Sequence, residues 1–306
     1  MLDLSLRKKL RELVAGEVLF DVPLSQYTSF GIGGPADAIV FPGTSEQISN
    51  TLVFLAQEGR PFMPLGNGTN LIVRDGGYRG VLVCLKRLNH LEVVEDDGGL
   101  TLKAEAGVTL ADVMGRSFKD GLGGMEFCAG VPGSVGGAVK MNAGAYGREI
   151  KDVVTGVTFI TLRGEMVRQK RKELHFSYRQ LAVPSDRLIL AAGFSLVRKN
   201  REEVRAGVEE ILARRREKQP LEYRNAGSIF KNPEGVPAGR LIEEMGLKGL
   251  RIGEAKISER HGNFIVNLGG ARAADVLSLI ALIQDKARQE RGIVLETEVC
   301  IIGEET

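Results

Sequence analysis

The stretch that decides the fold covers residues 121–147 and reads GLGGMEFCAGVPGSVGGAVKMNAGAYG. It holds nine glycines in 27 residues, whereas 39 in the 306-residue chain would place three or four there. Glycine has no Cβ, so backbone N–H groups can approach a ligand closely and a positive φ costs little. Apolar residues such as Met125 and Phe127 interrupt the glycines, unlike in a flexible linker. The run predicts an ordered ligand-binding segment, with a tightly packed turn region as the alternative.

A second glycine cluster, PLGNGTNLIV at residues 64–73, lies between two apolar, strand-like runs. Its backbone N–H groups, the Thr69 hydroxyl and the amides of Asn67 and Asn70 form a pattern suited to a pyrophosphate. The alternative is an ordinary hairpin turn, since Asn-Gly is a strong turn dipeptide. Two such clusters in one chain favour the phosphate interpretation.

The commoner phosphate motifs are missing from the sequence. No G-x-x-x-x-G-K-[ST] pattern occurs, which argues against a P-loop NTPase. Residues 31–36 (GIGGPA) match G-x-G-x-x-A superficially, but a dinucleotide fingerprint must open a helix. Residues 37–42 read as a strand, so a Rossmann domain is not expected.

Composition narrows the class of protein. A length of 306 residues predicts two domains, and a net charge of +2 without any Trp gives no support for nucleic-acid binding. The basic residues 214–218 (RRREK) fit either a helix C-terminus or a phosphorylated substrate. Cys84, Cys128 and Cys300 are far apart and odd in number, so neither a disulfide framework nor a metal site is expected. The chain lacks a signal-peptide pattern and any long apolar run, which predicts a soluble cytoplasmic protein without nucleic-acid or membrane partners.

Capping signals and hydrophobic runs outline an α+β chain. Helices are predicted after Thr44-x-x-Gln47 and Thr109-x-x-Asp112, and after Asn200 as far as Pro220. The other predicted elements are strands over 80–106 with a turn at Asp97-Gly98, antiparallel strands over 153–198, helices over about 238–245 and 271–291, and strands at FIVNL and IVLETEVCII. These elements place a domain boundary near residue 200.

Three polar positions are candidates for chemistry. Ser228 lies between small residues and an apolar pair in AGSIFKNP, which presents its hydroxyl, although most turn serines only bind backbone. Arg179 follows an aromatic residue and suits a carboxylate. Glu296 and Glu298 would share one face of a strand. The simplest interpretation of Arg179, Glu296 and Glu298 is that each forms an ordinary exposed salt bridge.

Six separated motifs together resemble the UDP-N-acetylenolpyruvoylglucosamine reductase family, the UDP-N-acetylmuramate dehydrogenases. They are YTSFGIGG, LGNGTNLIV, EFCAGVPGSVGGAVKMNAGAYG, FSYR, NAGSIFKNP and LETEV, in the family's order over nearly the whole chain. The resemblance implies an FAD-binding domain of the vanillyl-alcohol-oxidase (PCMH) type over residues 1–200, in lobes of about 1–80 and 81–200. A C-terminal α/β substrate domain over residues 201–306 is implied to follow it.

The resemblance also carries the family's site residues onto this chain. Arg179, Ser228 and Glu298 match the catalytic trio, and Tyr178, Lys218 and Asn232 match positions that lie against substrate or NADPH. The implied FAD contacts are Tyr27, Ser29, Gly31, Gly33, Gly66, Asn67, Gly68, Thr69, Asn70, Leu71, Ala129, Gly130, Val131, Pro132, Gly133, Ser134, Gly136, Gly137, Ala138, Asn142, Ala143 and Gly144.

The implied reaction passes a hydride from NADPH to FAD and on to the enolpyruvyl carbon of UDP-N-acetylglucosamine enolpyruvate, in peptidoglycan precursor synthesis. Ser228 then donates a proton. No histidine occurs in either glycine-rich segment, so noncovalent FAD is expected. Only 65 residues separate Asn232 from Glu298, which leaves no room for the tyrosine loop of longer members. An FAD-dependent alcohol oxidase and a non-catalytic UDP-sugar sensor are the alternatives.

Overall fold

The computed structural model describes residues 2–96 and 99–305. The predicted turn at Asp97-Gly98 lies outside the described residues. The chain forms two compact units, each assembled from several segments. The first contains Met1–Phe20, Ala38–Asn67 and Gly80–Arg214, and the second contains Asp21–Asp37, Gly68–Arg79 and Arg215–Thr306. The domain boundary near residue 200 and the two lobes stay predictions.

The secondary structure mixes helices and short strands along the whole chain. The helices are α1 (Leu4–Leu13), α2 (Ser45–Gln57), α3 (Leu110–Asp120), α4 (Val135–Lys140), α5 (Arg201–Lys218), α6 (Ala238–Glu244) and α7 (Ala273–Arg291). The strands are β1 (Val18–Pro23), β2 (Pro35–Val40), β3 (Phe62–Leu65), β4 (Leu71–Val73), β5 (Tyr78–Cys84), β6 (Leu91–Asp96), β7 (Gly99–Glu105), β8 (Leu122–Gly123), β9 (Gly144–Ala145), β10 (Arg148–Glu149), β11 (Val154–Thr161), β12 (Met166–Lys170), β13 (Phe176–Ser177), β14 (Gln180–Leu181), β15 (Arg187–Arg198), β16 (Arg251–Ile252), β17 (Ala255–Ile257), β18 (Ile265–Asn267) and β19 (Cys300–Ile302).

An antiparallel sheet forms the framework of the first unit. Its strand order is β12-β11-β15-β7-β6, and β8 pairs with the far end of β15. The run LILAAGFSLV supplies the central strand β15, and alternate residues such as Phe194 and Leu196 are buried while Ser195 is exposed. This alternation is what a half-buried strand requires. The predicted antiparallel strands over residues 153–198 are therefore confirmed.

The predicted caps begin the helices of the first unit. Thr109 accepts a hydrogen bond from the Asp112 N–H, and the Asp112 carboxylate accepts one from the Thr109 N–H, which makes a capping box. The helix α3 then ends at Gly121, which has a φ of 65°. Thr44 caps α2 in the same way through the Gln47 N–H. These caps confirm the predicted starts of α2 and α3.

A smaller sheet has the strand order β1-β2-β5-β3. Residues 35–40 form β2, so the strand predicted after the GIGGPA segment is confirmed and no dinucleotide-binding helix starts there. The strands that flank the second glycine cluster do not pair with each other. β3 pairs in parallel with β5, and β4 pairs in parallel with β19. The hairpin-turn alternative for this cluster is therefore wrong.

The second unit has its own core, built around the helix α7. Leu279, Ile280 and Ile283 of this helix are buried with residues of the antiparallel sheet β16-β17-β18. The predicted helices over 238–245 and 271–291 are confirmed as α6 and α7. The strand predicted over residues 293–302 is wrong for its first seven residues. Only Cys300–Ile302 forms a strand, because residues 293–299 find no continuous ladder partner.

None of the described helices is long and apolar enough to span a bilayer. Within residues 2–96 and 99–305, no group of three or more His, Cys, Asp or Glu side chains is arranged to hold a metal ion.

Cysteine reactivity tests the packing of the first unit. Cys128 is buried, and burial raises the pKa of its thiol to about 12, while burial also raises the pKa of Cys84. Since the thiolate is the reactive form, both thiols should resist Ellman's reagent at pH 8, whereas exposed Cys300 should react fast. Peptide mapping after partial modification identifies the site. Fast labelling of Cys128 in folded protein would contradict the packing described here.

Candidate active-site residues

The glycine-rich run folds as irregular backbone that leads into the short helix α4. Gly130 and Gly133 have φ values of 70° and 142°, which residues with a Cβ adopt only with strain. Ser134 then caps α4, and its buried hydroxyl accepts a long hydrogen bond of 3.4 Å from the Gly137 N–H. The run is ordered and packed, as the apolar residues within it predicted.

A cavity of about 290 Å³ lies beside this helix in the first unit. Its lining residues are Pro64, Gly66, Leu85, Ala106, Ser134, Gly136, Gly137, Lys140, Val183, Pro184, Ser185, Arg187, Leu188 and Ile189. Most of the lining residues are apolar or glycine, and two of them, Lys140 and Arg187, are positively charged. Four of the predicted FAD contacts therefore meet at one cavity: Gly66, Ser134, Gly136 and Gly137.

Close backbone packing explains why glycine occurs at two of these positions. A Cβ on Gly66 would lie 2.6 Å from the Ser134 Oγ, and one on Gly136 would lie 2.9 Å from the Ala106 Cβ. Gly137 differs, because a Cβ there would meet only the Ser134 Oγ, at 3.6 Å. Its missing side chain leaves open space at the cavity wall. This cradle fits a ligand that lies directly on main chain, as a flavin nucleotide does in the predicted fold.

In the second unit, the end of the other glycine cluster packs against residues 27–34. A Cβ on Gly68 would lie 2.1 Å from the Tyr27 carbonyl oxygen, and the Gly68 carbonyl accepts a hydrogen bond of 3.0 Å from the Ser29 N–H. The Ser29 hydroxyl donates to the Asn225 carbonyl at 2.7 Å. The predicted FAD contacts Tyr27, Ser29 and Gly68 are therefore neighbours within this unit. The Ser29 hydroxyl already binds protein.

Two tight hairpins of the first unit bring Arg179 to the end of the glycine-rich run. Arg179 is the second residue of the two-residue turn between β13 and β14, and it has a φ of 57°. Its guanidinium donates to the Gly144 carbonyl at 3.1 Å and lies 3.5 Å from the Glu149 carboxylate. Gly144 and Glu149 face each other in the β9-β10 hairpin. The Arg179 carbon Cζ also lies 4.9 Å from the centre of the Tyr178 ring.

The buried amide of Asn142 fixes this arrangement. Its Nδ2 donates to the Glu149 carboxylate at 2.9 Å and to the Ser177 carbonyl at 3.0 Å. Its Oδ1 accepts the Lys151 N–H at 3.0 Å. Asn142 is fully buried, so its side chain joins the glycine-rich run to both hairpins. A contact between Asn142 and FAD stays a prediction.

Ser228 and Glu298 lie on neighbouring backbone segments of the second unit. The Glu298 N–H donates to the Ile229 carbonyl at 2.7 Å, and Phe230 forms a β-bridge with Thr297. The Ser228 side chain is half-buried, and the hydrogen bonds of the described residues include none to its hydroxyl. The structure thus brings together two members of the predicted trio within this unit. Arg179 belongs to the other unit.

The two glutamates near the C-terminus do not share a strand face as predicted, because their segment is not a strand. Glu296 is exposed and pairs with Lys231 at 3.0 Å. Glu298 is half-buried, and its carbonyl accepts a hydrogen bond of 3.1 Å from the Asn70 amide. The Asn70 amide, a predicted pyrophosphate contact, is thus already engaged in the protein.

The remaining predicted ligand residues lie at element ends. Tyr178 is exposed beside Arg179, and Lys218 is the exposed last residue of α5. Asn232 accepts the Ala238 N–H at 2.9 Å, which ties its side chain to the first residue of α6. Sequence reasoning missed Glu149 and the cavity wall at residues 183–189.

Comparison with known proteins places these residues in a family. Residues 219–302 match the family described as UDP-N-acetylenolpyruvoylglucosamine reductase, C-terminal domain, and residues 36–170 match an FAD binding domain. The chain is 54% identical over 304 residues to the UDP-N-acetylenolpyruvoylglucosamine reductase of Syntrophus aciditrophicus (strain SB), covering 99% of this chain and 97% of that relative. It is 43% identical over 299 residues to the same-named protein of Clostridium kluyveri (strain NBRC 12016), covering 97% of each.

A solved structure agrees with these matches. The crystal structure of UDP-N-acetylenolpyruvylglucosamine reductase (MurB) from Thermus caldophilus superimposes with a TM-score of 0.80 at 35% identity, covering 93% of this chain and 98% of that one.

Filling the cavity wall tests the glycine cradle. Gly137 lines the cavity and a Cβ there would come no closer than 3.6 Å to a protein atom, so we expect Gly137→Val to fold while FAD binds more weakly. Overpacking of about 1–3 kcal/mol predicts a loss of roughly 5- to 150-fold in affinity. Gly115→Val is the matched control, because Gly115 is an exposed glycine of α3 with open space around it. Flavin titration measures the FAD affinity of both variants. Equal affinities would contradict the assignment of FAD to this cavity.

Proposed function

Because the chain belongs to the UDP-N-acetylenolpyruvoylglucosamine reductase family, we propose that it reduces UDP-N-acetylglucosamine enolpyruvate to UDP-N-acetylmuramate with NADPH as hydride donor. Family membership makes it an FAD-dependent reductase of peptidoglycan precursor synthesis that acts on a UDP-sugar. The predicted fold class, an FAD-binding domain followed by the family's own C-terminal domain, is confirmed, as is the short form of about 300 residues. The finer steps below rest on the chain's own residues.

FAD would be held by glycine backbone rather than by a covalent bond. When bound, FAD supplies the hydride that reduces the enolpyruvyl double bond. The cradle at Gly66, Ser134 and Gly137 supports this assignment, because its walls are main chain and small side chains. The apolar lining residues Val183, Pro184, Leu188 and Ile189 suit a flat ring. Neither glycine-rich segment contains a histidine, which supports noncovalent binding.

Arg179 would bind the substrate carboxylate. Hydride addition at the methylene carbon pushes negative charge into an enolate-like carboxylate, and fixed donors stabilise that charge as it develops. The Arg179 guanidinium is permanently charged and is anchored by the Gly144 carbonyl and Tyr178 ring. Its position at a strained hairpin turn supports a role that needs one fixed orientation.

Ser228 would donate the proton that completes the reaction. The single observation that carries this proposal is the half-buried Ser228 hydroxyl, to which the described residues make no hydrogen bond, beside the backbone of Glu298. An unengaged hydroxyl can rotate to face the carbon next to the carboxylate. That carbon gains a C–H bond while the Ser228 O–H bond breaks, which leaves the lactyl ether. Glu298 would add a hydrogen bond to the developing charge.

Tyr178, Lys218 and Asn232 would contact the UDP-sugar or NADPH. Tyr178 and Lys218 are exposed and carry a hydroxyl and a cation, the groups that suit a phosphate or sugar. Asn232 has its Oδ1 engaged with α6, so its Nδ2 is the atom assigned to the ligand.

Ser228→Ala separates the two halves of the reaction. Flavin reduction by NADPH involves no proton transfer to the substrate carbon, so bleaching should proceed at a near-normal rate. Loss of a general acid costs about 10²- to 10⁴-fold in the step that it serves, so substrate reduction should slow by that factor. Anaerobic stopped-flow spectroscopy measures each half separately. Ser278→Ala, the same change at an exposed position of α7, is the control.

Three results would contradict the proposal. Equal slowing of both halves, or of neither, would remove Ser228 as the donor. A purified protein that NADPH does not bleach would point to a non-catalytic sensor. Rapid reoxidation of the reduced flavin by oxygen would point to an oxidase.

Arg179→Lys tests the carboxylate contact. Lysine keeps the charge but loses the planar fork, so substrate reduction should stay impaired by roughly tenfold or more, the factor that corresponds to about 1.4 kcal/mol. Arg171→Lys is a matched control, since Arg171 likewise donates to backbone carbonyls, those of Lys151 and Leu174, and lies over an aromatic ring, that of Phe176. Steady-state turnover at saturating NADPH measures both variants. Normal turnover of Arg179→Lys would reduce Arg179 to a structural cation.

A further inference from the structure

Asn263 is a buried side chain that grips the backbone next to Ser228. It is 3% exposed, its Oδ1 accepts the Phe230 N–H at 2.9 Å, and its Nδ2 donates to the Phe230 carbonyl at 2.8 Å. Its own carbonyl accepts the Ile229 N–H at 2.9 Å. Three hydrogen bonds therefore run from one residue to the two that follow Ser228.

The same backbone segment also holds Glu298. The Ile229 N–H, which belongs to the peptide group directly after Ser228, donates to the Asn263 carbonyl. The Ile229 carbonyl, which belongs to the next peptide group, accepts a hydrogen bond from the Glu298 N–H. Asn263 thus fixes the strip of main chain that connects two of the proposed catalytic residues.

The other side of Ser228 is held less firmly. The Gly227 N–H donates to the Asn225 Oδ1 at 2.9 Å in a local turn, and Gly227 has a φ of 76°. A Cβ on Gly227 would have no atom within 4 Å, so no neighbouring group packs against that face of the residue. The position of the Ser228 hydroxyl therefore depends mainly on its C-terminal neighbours and on Asn263.

We propose that Asn263 is a positioning residue for the protonation step, acting through the backbone of residues 229 and 230. This inference rests on the proposed role of Ser228 as proton donor. A serine hydroxyl is a weak acid, so its contribution depends on distance and direction to the carbon that it protonates. A misplacement of 1 Å can cost on the order of 10²-fold in rate. The Asn263 amide prevents that displacement.

Asn263→Asp is the first test, because it preserves shape but removes one donor. The carboxylate still accepts from the Phe230 N–H, but it repels the Phe230 carbonyl to which Asn263 donates. We expect flavin reduction by NADPH to stay within about twofold of normal and substrate reduction to slow by roughly 10- to 100-fold. The solvent deuterium isotope effect on substrate reduction should rise. A purely structural role would not move that isotope effect in the flavin-loaded protein.

A second variant and a control keep the test decisive. Asn263→Ser keeps the main-chain hydrogen bond from the Ile229 N–H to the carbonyl of residue 263 but loses both side-chain bonds to Phe230, and it serves if Asn263→Asp fails to fold. Ser258→Ala removes a buried hydroxyl that accepts from the Arg260 and His261 N–H groups in the same loop, away from Ser228. It should lower thermal stability without changing the ratio of the two half-reaction rates.

The double variant Ser228→Ala/Asn263→Asp separates this inference from the proposed function. If Asn263 acts through Ser228, the double variant should be no slower in substrate reduction than Ser228→Ala alone. Additive losses, or a normal ratio of half-reaction rates in both Asn263 variants, would overturn the positioning role while Ser228 keeps its own. If Ser228→Ala leaves the two half-reactions equally affected, the proposed role of Ser228 as proton donor itself fails.

Discussion

Around the candidate catalytic residues, side-chain amides make hydrogen bonds to backbone groups that have no partner in a helix or a strand. Each buried N–H or C=O left unpaired costs about 1–3 kcal/mol, so an irregular buried segment needs partners from elsewhere. Asn142 supplies them to the hairpins beside Arg179, and Asn263 supplies them beside Ser228. Asn267 does the same for the Phe30 carbonyl in the segment predicted to contact FAD. An amide suits this task because it donates and accepts at once.

This solution permits backbone conformations that regular structure forbids. Asn142, Tyr146 and Arg179 have φ values of 41°, 54° and 57°, which are uncommon for residues with a side chain. Such conformations cost of order 1–3 kcal/mol each and persist only where the surroundings hold them. The Glu149 carboxylate shows how they are held, since it accepts from the Asn142 amide and pairs with Arg179. These three of the four positive-φ residues with a side chain among the described residues therefore lie in or beside the two hairpins that the Asn142 network joins, and the fourth, Asp21, lies in β1.

Local signals in the sequence predicted much of the fold. Thr44 and Thr109 act through neighbours within a few residues, and the structure has the helix starts that they predict. The glycine clusters could be recognised in the sequence because positions where another group approaches the backbone closely accept only a residue without a Cβ. Pairing between segments that are far apart in the sequence could not be predicted. Residues 293–299 have the composition of a strand, yet their partner is the irregular segment around residues 229–231, which no periodicity marks. The hydrogen bonds between Asn263 and Phe230, which are 33 residues apart, could not be predicted for the same reason.

The proposed role of the Ser228 hydroxyl as proton donor would account for the hydrogen bonds that hold the neighbouring backbone of the second unit. A carboxylic acid or a histidine can be tuned by its surroundings through its pKa, whereas a serine contributes mainly through its position. Ser228 has no hydrogen bond among the described residues, so nothing on its own side chain orients it before a ligand arrives. Orientation must then come from the peptide groups that follow it. Those groups are bound on one side by the buried Asn263 amide and on the other by the segment that carries Glu298, so the hydrogen bonds fix the backbone while the Ser228 hydroxyl can still rotate about its Cα–Cβ bond.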